Sequence, residues 1–473
     1  MKKIFVILVV MVFSSYFILA QNTSTTSQTG NNNDINISQD GGLQDADVSQ
    51  EGNTNTTKIN QFTDNGGTQI SDVIQTGNTN NAEVDMDQTG SGGNTPGNSA
   101  YIEQIGNNND SYQRVNAPSS NSGQDVMGTQ TGNSNELDQR ILGGYTDYFE
   151  AAQTGNNNKI VQLMPSATHN KGVVNQDGNN NDANQNLSGG NNGYNAPISV
   201  TQDGDWNTTD QDFVSTQTFS HVNNGKITQT GNYNYGKQDV TGANVTVQSE
   251  VIGNNNDSRQ FVGSYGDESY IVAIGNLNVL KTDQHGDYNF SDVKLNEVGI
   301  GTSNSNDVNV KQTGDYNHFE LGIGRGDIGA DNNKVDADHS GNGHYHRVSV
   351  DGSNNDIKIN ASGNVGGSQY AGNRGDWDFK VSTPWNSTSD NNSFVLKQTG
   401  MNNAGTGKVA GDNNDIDLTQ TGNDNLIGTD WYTNDGVVIE GNNNMVKVRQ
   451  LSNDNSSMNT ITGNGNTVNV LQQ

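Results

Sequence analysis

The chain has 473 residues, of which 29% are hydrophobic, and its 52 acidic side chains outnumber 23 basic ones, giving a formal net charge of −29. So few apolar residues cannot build a conventional globular core of this length. The negative charge excludes DNA, RNA and anionic membranes as expected partners, because their phosphates would be repelled. Cysteine is absent, so disulfides, thiolate chemistry and a lipid-modified cysteine anchor are excluded as well.

Residues 1–20 have the pattern of a signal peptide. Lys2 and Lys3 precede an apolar run from Ile4 to Leu19, and Ala20 is a small residue at a plausible cleavage point. The run is short for a membrane span and lacks a stop-transfer flank. We therefore expect these residues to be removed on export, leaving residues 21–473 as a soluble, secreted protein.

An eleven-residue phrase begins shortly after this segment. Counting from Gln28, a glycine lies two residues on, an asparagine five, apolar side chains seven and nine, and Gln39 eleven residues on. The phrase returns near the other end of the sequence, from Val409 and from Ile439. Between them, from Gln104 onwards, it recurs every 22 to 27 residues, as one regular half-unit followed by a looser one. This recurrence indicates a repeat architecture.

Each half-unit predicts one strand and one turn. The positions seven, nine and eleven residues after the opening alternate with polar ones, which is typical of a half-buried strand. The glycine permits positive φ, and asparagines three and five residues on tolerate left-handed geometry. The sequence therefore predicts an all-β fold: a β-solenoid of stacked two-strand coils, with about 22 residues per coil, about 11 per half-unit, and loop insertions. The alternative is a disordered Gln/Asn-rich tract, which would not need to keep an eleven-residue phase.

The inward amides are expected to form ladders. A buried amide is costly unless it is paired, and identical amides in successive coils can bond to the copies above and below. The ladder and turn positions so assigned are Gln28, Gly30, Asn33, Gln39, Gln50, Gln75, Gly77, Gln88, Gln104, Gly106, Gln130, Gly132, Gln153, Gly155, Gln176, Gly178, Gln202, Gln229, Gly231, Gln312, Gln398, Gln420 and Gln450.

We interpret residues 21–473 as one repeat domain, with residues 363–397 as an inserted loop. From residue 104 to residue 284, alternate turns vary in length and should lie along one edge of the stack. The aromatic residues expected there either face a polysaccharide or other surface, or fold back over the stack. They are Tyr145, Tyr148, Phe149, Tyr194, Phe213, Phe219, Tyr265 and Tyr270.

The phrase Gln-x-Gly-x-x-Asn-x-apolar-x-apolar-x-Gln resembles the curlin repeat of curli, the functional amyloid of Gram-negative biofilms. The segments that carry the resemblance are 28–39, 75–88 (two residues longer), 409–420 and 439–450. This chain differs in its length, its long insertions, and in replacing the opening glutamine, for example by Val251 and Ala273. Those differences leave the major subunit, a nucleator and a minor adhesive component open as roles.

The resemblance implies several partners and a location. It implies export through a dedicated curlin secretion pore in the outer membrane of a Gram-negative bacterium, folding outside the cell, and self-association into fibres that involves a nucleator. The aromatic loop edge, and not the resemblance, adds a polysaccharide or host surface as a further expected partner, and no nucleic acid is expected.

No catalytic motif is recognisable, and we expect neither enzyme activity nor a cofactor. His339, His344 and His346 are the one histidine cluster, but they lie among exposed glycine and asparagine, so we assign no metal site. Three functions are weighed: a structural fibre subunit, which we favour; a monomeric secreted solenoid adhesin or glycan- or ice-binding protein; and a β-helical polysaccharide-degrading enzyme, for which no cluster of acids and bases is evident.

Overall fold

The computed structural model describes residues 22–64, 67–88, 97–117, 123–190, 197–215, 224–241, 246–263, 268–294, 304–320, 322, 331–341, 345–350, 353–362, 378–381, 390–400, 403–405, 407–428 and 436–473. These fall into two compact units. The first runs to Ala151 and includes Leu163–Ala167, and the second comprises Ala152–Gln162 and Thr168–Gln473. The predicted signal peptide lies outside the described residues.

All the regular structure in the described ranges is β-strand. The first strands in chain order are β1 (Thr23–Thr29), β2 (Asp34–Asp40), β3 (Gln44–Asn53), β4 (Thr56–Thr63), β5 (Gln69–Asn78), β6 (Asn81–Gln88), β7 (Asn98–Asn107), β8 (Asp110–Ala117), β9 (Asp125–Asn133), β10 (Glu136–Ile141), β11 (Gly144–Tyr145), β12 (Tyr148–Asn156), β13 (Lys159–Met164), β14 (Ala167–Thr168), β15 (Lys171–Asp177), β16 (Asp182–Gly190), β17 (Ile198–Asp203), β18 (Thr208–Ser215), β19 (Asn224–Thr230) and β20 (Tyr235–Thr241).

The remaining strands are β21 (Thr246–Ile252), β22 (Asp257–Val262), β23 (Glu268–Ile274), β24 (Val279–His285), β25 (Phe290–Lys294), β26 (Asp307–Thr313), β27 (His318–Glu320), β28 (Lys334–Ser340), β29 (Tyr345–Val350), β30 (Asp356–Ser362), β31 (Asp378–Val381), β32 (Ser393–Thr399), β33 (Ala404–Gly405), β34 (Gly407–Ala410), β35 (Asp415–Thr421), β36 (Leu426–Ile427), β37 (Val437–Glu440), β38 (Met445–Gln450), β39 (Ser456–Ser457), β40 (Asn459–Thr462) and β41 (Thr467–Gln472). No helix in the described part of the chain is long and apolar enough to cross a membrane.

The first unit contains two parallel sheets built from alternate strands. Strands β1, β3, β5, β7 and β9 pair in that order to form one sheet, which we call face A. Strands β2, β4, β6, β8 and β10 pair likewise to form the other, face B. Each coil of the chain thus contributes one strand to each face, which confirms the predicted β-solenoid.

The second unit repeats this arrangement. Its face A runs β15, β17, β19, β21, β23, β25, β27, β29, β31, β34, β37, β40. Its face B runs β16, β18, β20, β22, β24, β26, β28, β30, β32, β35, β38, β41. The short strands β33, β36 and β39 pair as a third sheet.

The core is thin and alternates with the surface along every strand. In β4 every second side chain is buried, and Ile59 has no exposed area. Gln28 and its partner Gln50 are 22 residues apart, whereas Gln420 and Gln450 are 30 apart. Loop insertions therefore lengthen a coil without changing its register, because the period-two pattern fixes which side chains point inward.

The turn after each regular strand requires glycine for two reasons. Gly77 has φ of +122°, which L-residues rarely adopt. A Cβ built on it would also overlap the carbonyl oxygen of Gly106 in the next coil. The left-handed residue is the one four after the opening, not the asparagines on either side of it. Thr54 and Thr79 occupy this position, and so do the bulky Trp206 and Tyr233.

Two sequence expectations change in detail. Within residues 363–397, β31 pairs with β29 and β34, and the segment 393–397 belongs to β32, so strands interrupt the expected loop. Phe149 and Phe213 are core residues within strands, with at most 1% of their area exposed, and do not lie on a loop edge. Tyr148 and Tyr270 are also in strands, while Tyr194, Phe219 and Tyr265 lie outside the described ranges.

We predict that Gly77→Ala destabilises the fold more than Gly463→Ala does. Both glycines have positive φ, but a Cβ on Gly463 meets nothing nearer than Asn466 Nδ2 at 3.6 Å. The excess loss in the free energy of unfolding should be about 1–3 kcal/mol, the usual cost of overpacking. Urea unfolding of the monomers measures it. Equal losses would mean that backbone strain alone, and not the close approach of coils, requires glycine.

Candidate functional site

A column of glutamines lines face A of the first unit. Gln28, Gln50, Gln75, Gln104 and Gln130 lie in register in successive coils. Each Nε2 donates to the Oε1 of the next glutamine, at 2.9, 2.8, 2.8 and 2.8 Å. The column runs in one direction, because every donor lies on the earlier coil and every acceptor on the later one.

From Gln50 onwards, the second N–H of each amide in this column is donated across the core. Gln50 Nε2 lies 3.1 Å from the carbonyl oxygen of Asp34, and Gln104 Nε2 lies 2.9 Å from that of Asn81. Asp34 and Asn81 begin strands of face B. A glutamine amide has two donors and one strong acceptor, so each side chain joins neighbouring coils and also joins the two faces.

The second unit has a matching face A column. Gln153, Gln176, Gln202 and Gln229 are linked at 3.0, 2.8 and 3.1 Å. Val251 lies next in the same column, opposite Gln229. Ala273 follows Val251, and the apolar cluster on this face also includes Val409 and its register partner Ile439.

Face B carries its glutamines in two different columns. Gln39 donates to Gln61 at 2.8 Å, eleven residues after the phrase opening. In the following coils Met86 takes that position. Gln88, assigned to this column from the sequence, lies two residues further on, opposite Thr63. The reason is that the eleven-residue phase continues through Met86 despite its lack of an amide.

Beyond Met86 the amide and aliphatic positions exchange. Gln113 follows Val84 in the neighbouring column, nine residues after the opening, and donates to Gln139 at 2.8 Å. The second unit has a column of its own nine residues after the openings, formed by Gln162, Gln185, Gln211 and Gln238 and linked at 2.9 Å for each step. Aliphatic and aromatic side chains fill the position eleven residues on. They are Met164, Leu187, Phe213 and Val240.

From β24 onwards the original order returns. Gln284 donates to Gln312 at 2.8 Å, and Gln398, Gln420, Gln450 and Gln472 are linked at 2.7, 2.9 and 2.8 Å. The sequence contained the signal for the exchanged part, since a second glutamine lies nine residues after each opening from Gln104 to Gln229.

Four glutamines that lie beside an interruption of their column have an amide atom without a partner. The Oε1 atoms of Gln113, Gln284 and Gln398 are buried and accept no hydrogen bond, because the residue before each in its column is Val84, Val262 or Ala361. The Nε2 atom of Gln312, before His339, is likewise unpaired. A buried unsatisfied group costs about 1–3 kcal/mol, so interruptions of the column are destabilising.

The asparagines of the turns form columns of their own. Asn33 Nδ2 donates to the carbonyl oxygen of Gly52 at 2.9 Å, and the backbone N–H of Asn55 donates to Asn33 Oδ1 at 3.0 Å. Asn31 donates from both its nitrogens to Asn53 Oδ1. The assigned turn glycines all have positive φ. They are Gly30, Gly77, Gly106, Gly132, Gly155, Gly178 and Gly231.

Carboxylates also lie in register on the outer surface. Asp47 is paired in register with Asp72 on face A. Partial burial raises the pKa of Asp72 first, and the charges of Asp47 and Glu103 raise it further. Burial and then Asp239, its register partner, raise the pKa of Asp212 in the same way. Stacking in register therefore concentrates like charge as well as pairing amides.

These features define a β-solenoid held together by directional amide columns. Residues 30–62 match the family model of the curlin associated repeat, which confirms the curlin-repeat resemblance over that segment. No curated protein matches the chain. The three histidines considered from the sequence have side chains that are not among those described, and no group of three or more metal-ligating side chains is found within the described part.

We predict that Gln104→Leu is more destabilising than Gln113→Leu. Both glutamines are fully buried, but Gln104 makes three amide hydrogen bonds and Gln113, at the start of its column, makes two. Leucine at either position removes two donated hydrogen bonds, but leucine at 104 also removes the acceptor of Gln75, so the excess cost should be about 1–3 kcal/mol. Urea unfolding measures the difference, and equal losses would contradict a cooperative column.

Stability is expected to rise on mild acidification. The raised pKa of Asp72 means that its charge opposes folding at neutral pH, and that the folded state gains a proton before the unfolded state does. The melting temperature should therefore increase as the pH falls from about 7 towards about 4, the ordinary pKa of aspartate. Asp72→Asn should raise the melting temperature at neutral pH and weaken its pH dependence. A fall in melting temperature for this variant at neutral pH would contradict the repulsion.

Proposed function

We propose that this protein is a secreted structural subunit of curli-like amyloid fibres. The observation that carries the proposal is the direction of the glutamine columns: wherever glutamines are neighbours in a column, the earlier coil donates to the later one, up to Gln472 of the last strand. A further copy of the chain supplies the same groups in the same register. Stacking of copies therefore extends an interaction already present within the chain.

The outermost described coils support this proposal. All residues of β1 are exposed, and Gln39 of β2 donates to Gln61 but accepts no hydrogen bond from the described residues. In β41, Gln472 accepts from Gln450 and donates one N–H to the carbonyl oxygen of Ser456, which leaves its other N–H available. Parallel strands exposed in this way are templates for addition of another chain.

The biological setting follows from the curlin-repeat resemblance. A fibre subunit of this kind is exported across the outer membrane of a Gram-negative bacterium through a curlin secretion pore, meets a nucleator, and contributes to extracellular matrix, biofilm and adhesion. Its role is structural and not enzymatic. The net charge of −29 opposes association, which favours a protein that stays soluble until it is outside the cell.

A monomeric adhesin is the second candidate, and exposed aromatic pairs favour it. Trp206 and Tyr233 stack with ring centroids 6.1 Å apart, and Tyr288 and Tyr316 stack at 5.0 Å. All four side chains are about half exposed. Exposed aromatic rings suit sugar surfaces, and such a surface would function without any fibre.

Fibre formation by the chain without residues 1–20 tests the proposal. We expect unbranched fibres by electron microscopy, with diffraction near 4.7–4.8 Å along the fibre and near 10 Å across it. Protein that remains monomeric on long incubation at high concentration would favour the adhesin instead.

Charged variants of β41 sharpen this test. Val468→Lys with Val470→Lys places two charges on inward positions of the exposed strand, which should block stacking. Asn469→Lys with Leu471→Lys adds the same charge at outward positions of the same strand, where side chains are exposed. We expect fibres from the second variant only. Fibres from both would mean that β41 does not form the joint.

A further inference from the structure

We propose that the order of aliphatic and amide side chains on face B selects which coil adds to β41, so that the joint between copies reads Val470 and Gln472 against Ile37 and Gln39 of the next copy. This inference deepens the proposed fibre function and rests on it. In this proposal the exchange of columns inside the chain serves specificity, because an exchanged coil cannot pair correctly with β41.

The hydrogen-bonding groups of the two outer coils are complementary on face B. Gln472 Nε2 has one N–H to donate. Gln39 Oε1 accepts no hydrogen bond from the described residues, while Gln39 Nε2 donates to Gln61 and to the carbonyl oxygen of Thr23. Placed in register, the pair repeats the 2.8 Å bond from Gln450 to Gln472. The aliphatic residues of β41 then lie against those of β2.

The adjoining turns are complementary through two series of hydrogen bonds that run in opposite directions. Inside the chain, Asn442 N donates to Asn464 Oδ1 at 2.7 Å, and Asn466 N donates to Asn444 Oδ1 at 2.9 Å. In the joint between copies, the N–H groups of Asn464 in one copy would donate to Asn31 Oδ1 of the next copy. The backbone N–H of Asn33 in that next copy would donate to Asn466 Oδ1 of the first. Among the described residues, none of these four groups makes another hydrogen bond.

The exchanged coils cannot form the same joint. From β8 to β22, amides lie where Val470 lies in β41, and aliphatic side chains lie where Gln472 lies. Such a coil placed on β41 would put an amide against Val470 and leave Gln472 against an aliphatic side chain. The two exchanges inside the chain already leave the buried oxygens of Gln113 and Gln284 unpaired, so each mismatched joint would carry a similar cost.

Face A contributes less to this selection. Ile461 continues the apolar column of Val409 and Ile439, and the next copy would place Gln28 against it. Gln28 Oε1 then gains no donor, as for Gln113 after Val84. Because only face B and its turn gain side-chain hydrogen bonds between copies, they determine which coils can form the joint.

Four chains test the inference through critical concentrations for fibre formation. Wild type is compared with three variants. One single exchange combines Val470→Gln with Gln472→Val, and the other combines Ile37→Gln with Gln39→Ile. The fourfold variant carries all four substitutions. Each exchange alone mismatches every joint, so we expect a rise in critical concentration of about tenfold or more, since one unpaired amide costs about 1–3 kcal/mol. The chain with all four changes restores the match and should return to within about threefold of wild type.

Two measurements separate this joint from loss of folding. Circular dichroism of the monomers should stay β-type in every variant, and exchange of the outward residues, Asn469→Leu with Leu471→Asn, should leave the critical concentration unchanged. Labelled wild type and the fourfold variant should form separate fibres when mixed, because their ends no longer match. That separation is expected even if the fourfold variant assembles weakly.

The possible failures are distinguishable. If wild type forms fibres but the single exchanges do so at the same critical concentration, or the fourfold variant mixes freely with wild type, the selection by face B is wrong and the fibre function stands. If wild type forms no fibres at any concentration, both the proposed function and this joint are overturned.

Discussion

The fold depends on what one glutamine amide can do in a thin core. Gln104 donates to Gln130 along the stack and to the carbonyl oxygen of Asn81 across it, and accepts from Gln75. Three bonds from one side chain offset the cost of burying it. They also fix the register of neighbouring coils and the separation of the two faces, tasks that bulk apolar burial performs in an ordinary domain.

The same dependence makes the structure intolerant of interruption. An aliphatic residue before a glutamine in a column leaves the glutamine Oε1 without a donor, as at Gln113. Turn glycines such as Gly77 leave no space for a Cβ between coils. Loop insertions are tolerated because they leave the columns intact. Length therefore varies between coils, while the phase of inward positions does not.

The sequence predicted the architecture but not the order of its columns. Regular recurrence from Gln28 to Gln39 sufficed for strands, turns and amide ladders, because a period of eleven with inward glutamine has few other physical solutions. It did not show that Met86 lies in the column of Gln61 although it has no amide. A single half-unit does not reveal whether that column continues at Met86 or at Gln88, two residues later. The left-handed position was misplaced because Trp206 is a poor candidate for positive φ on its own. Contacts between coils impose it there.

Stacking in register multiplies surface electrostatics in the same way that it multiplies amide bonds. A carboxylate facing its own kind in the next coil is repelled, as Asp72 is by Asp47. Elsewhere the column alternates in sign, as where Lys58 contacts Glu83 at 2.6 Å or Lys447 contacts Asp417 at 3.1 Å. Exposed pairs of this kind contribute little each, but they remove like-charge contacts from a strongly acidic chain. A solenoid with net charge −29 can therefore stack its coils closely, because neighbouring charges along a column need not share the sign of the whole.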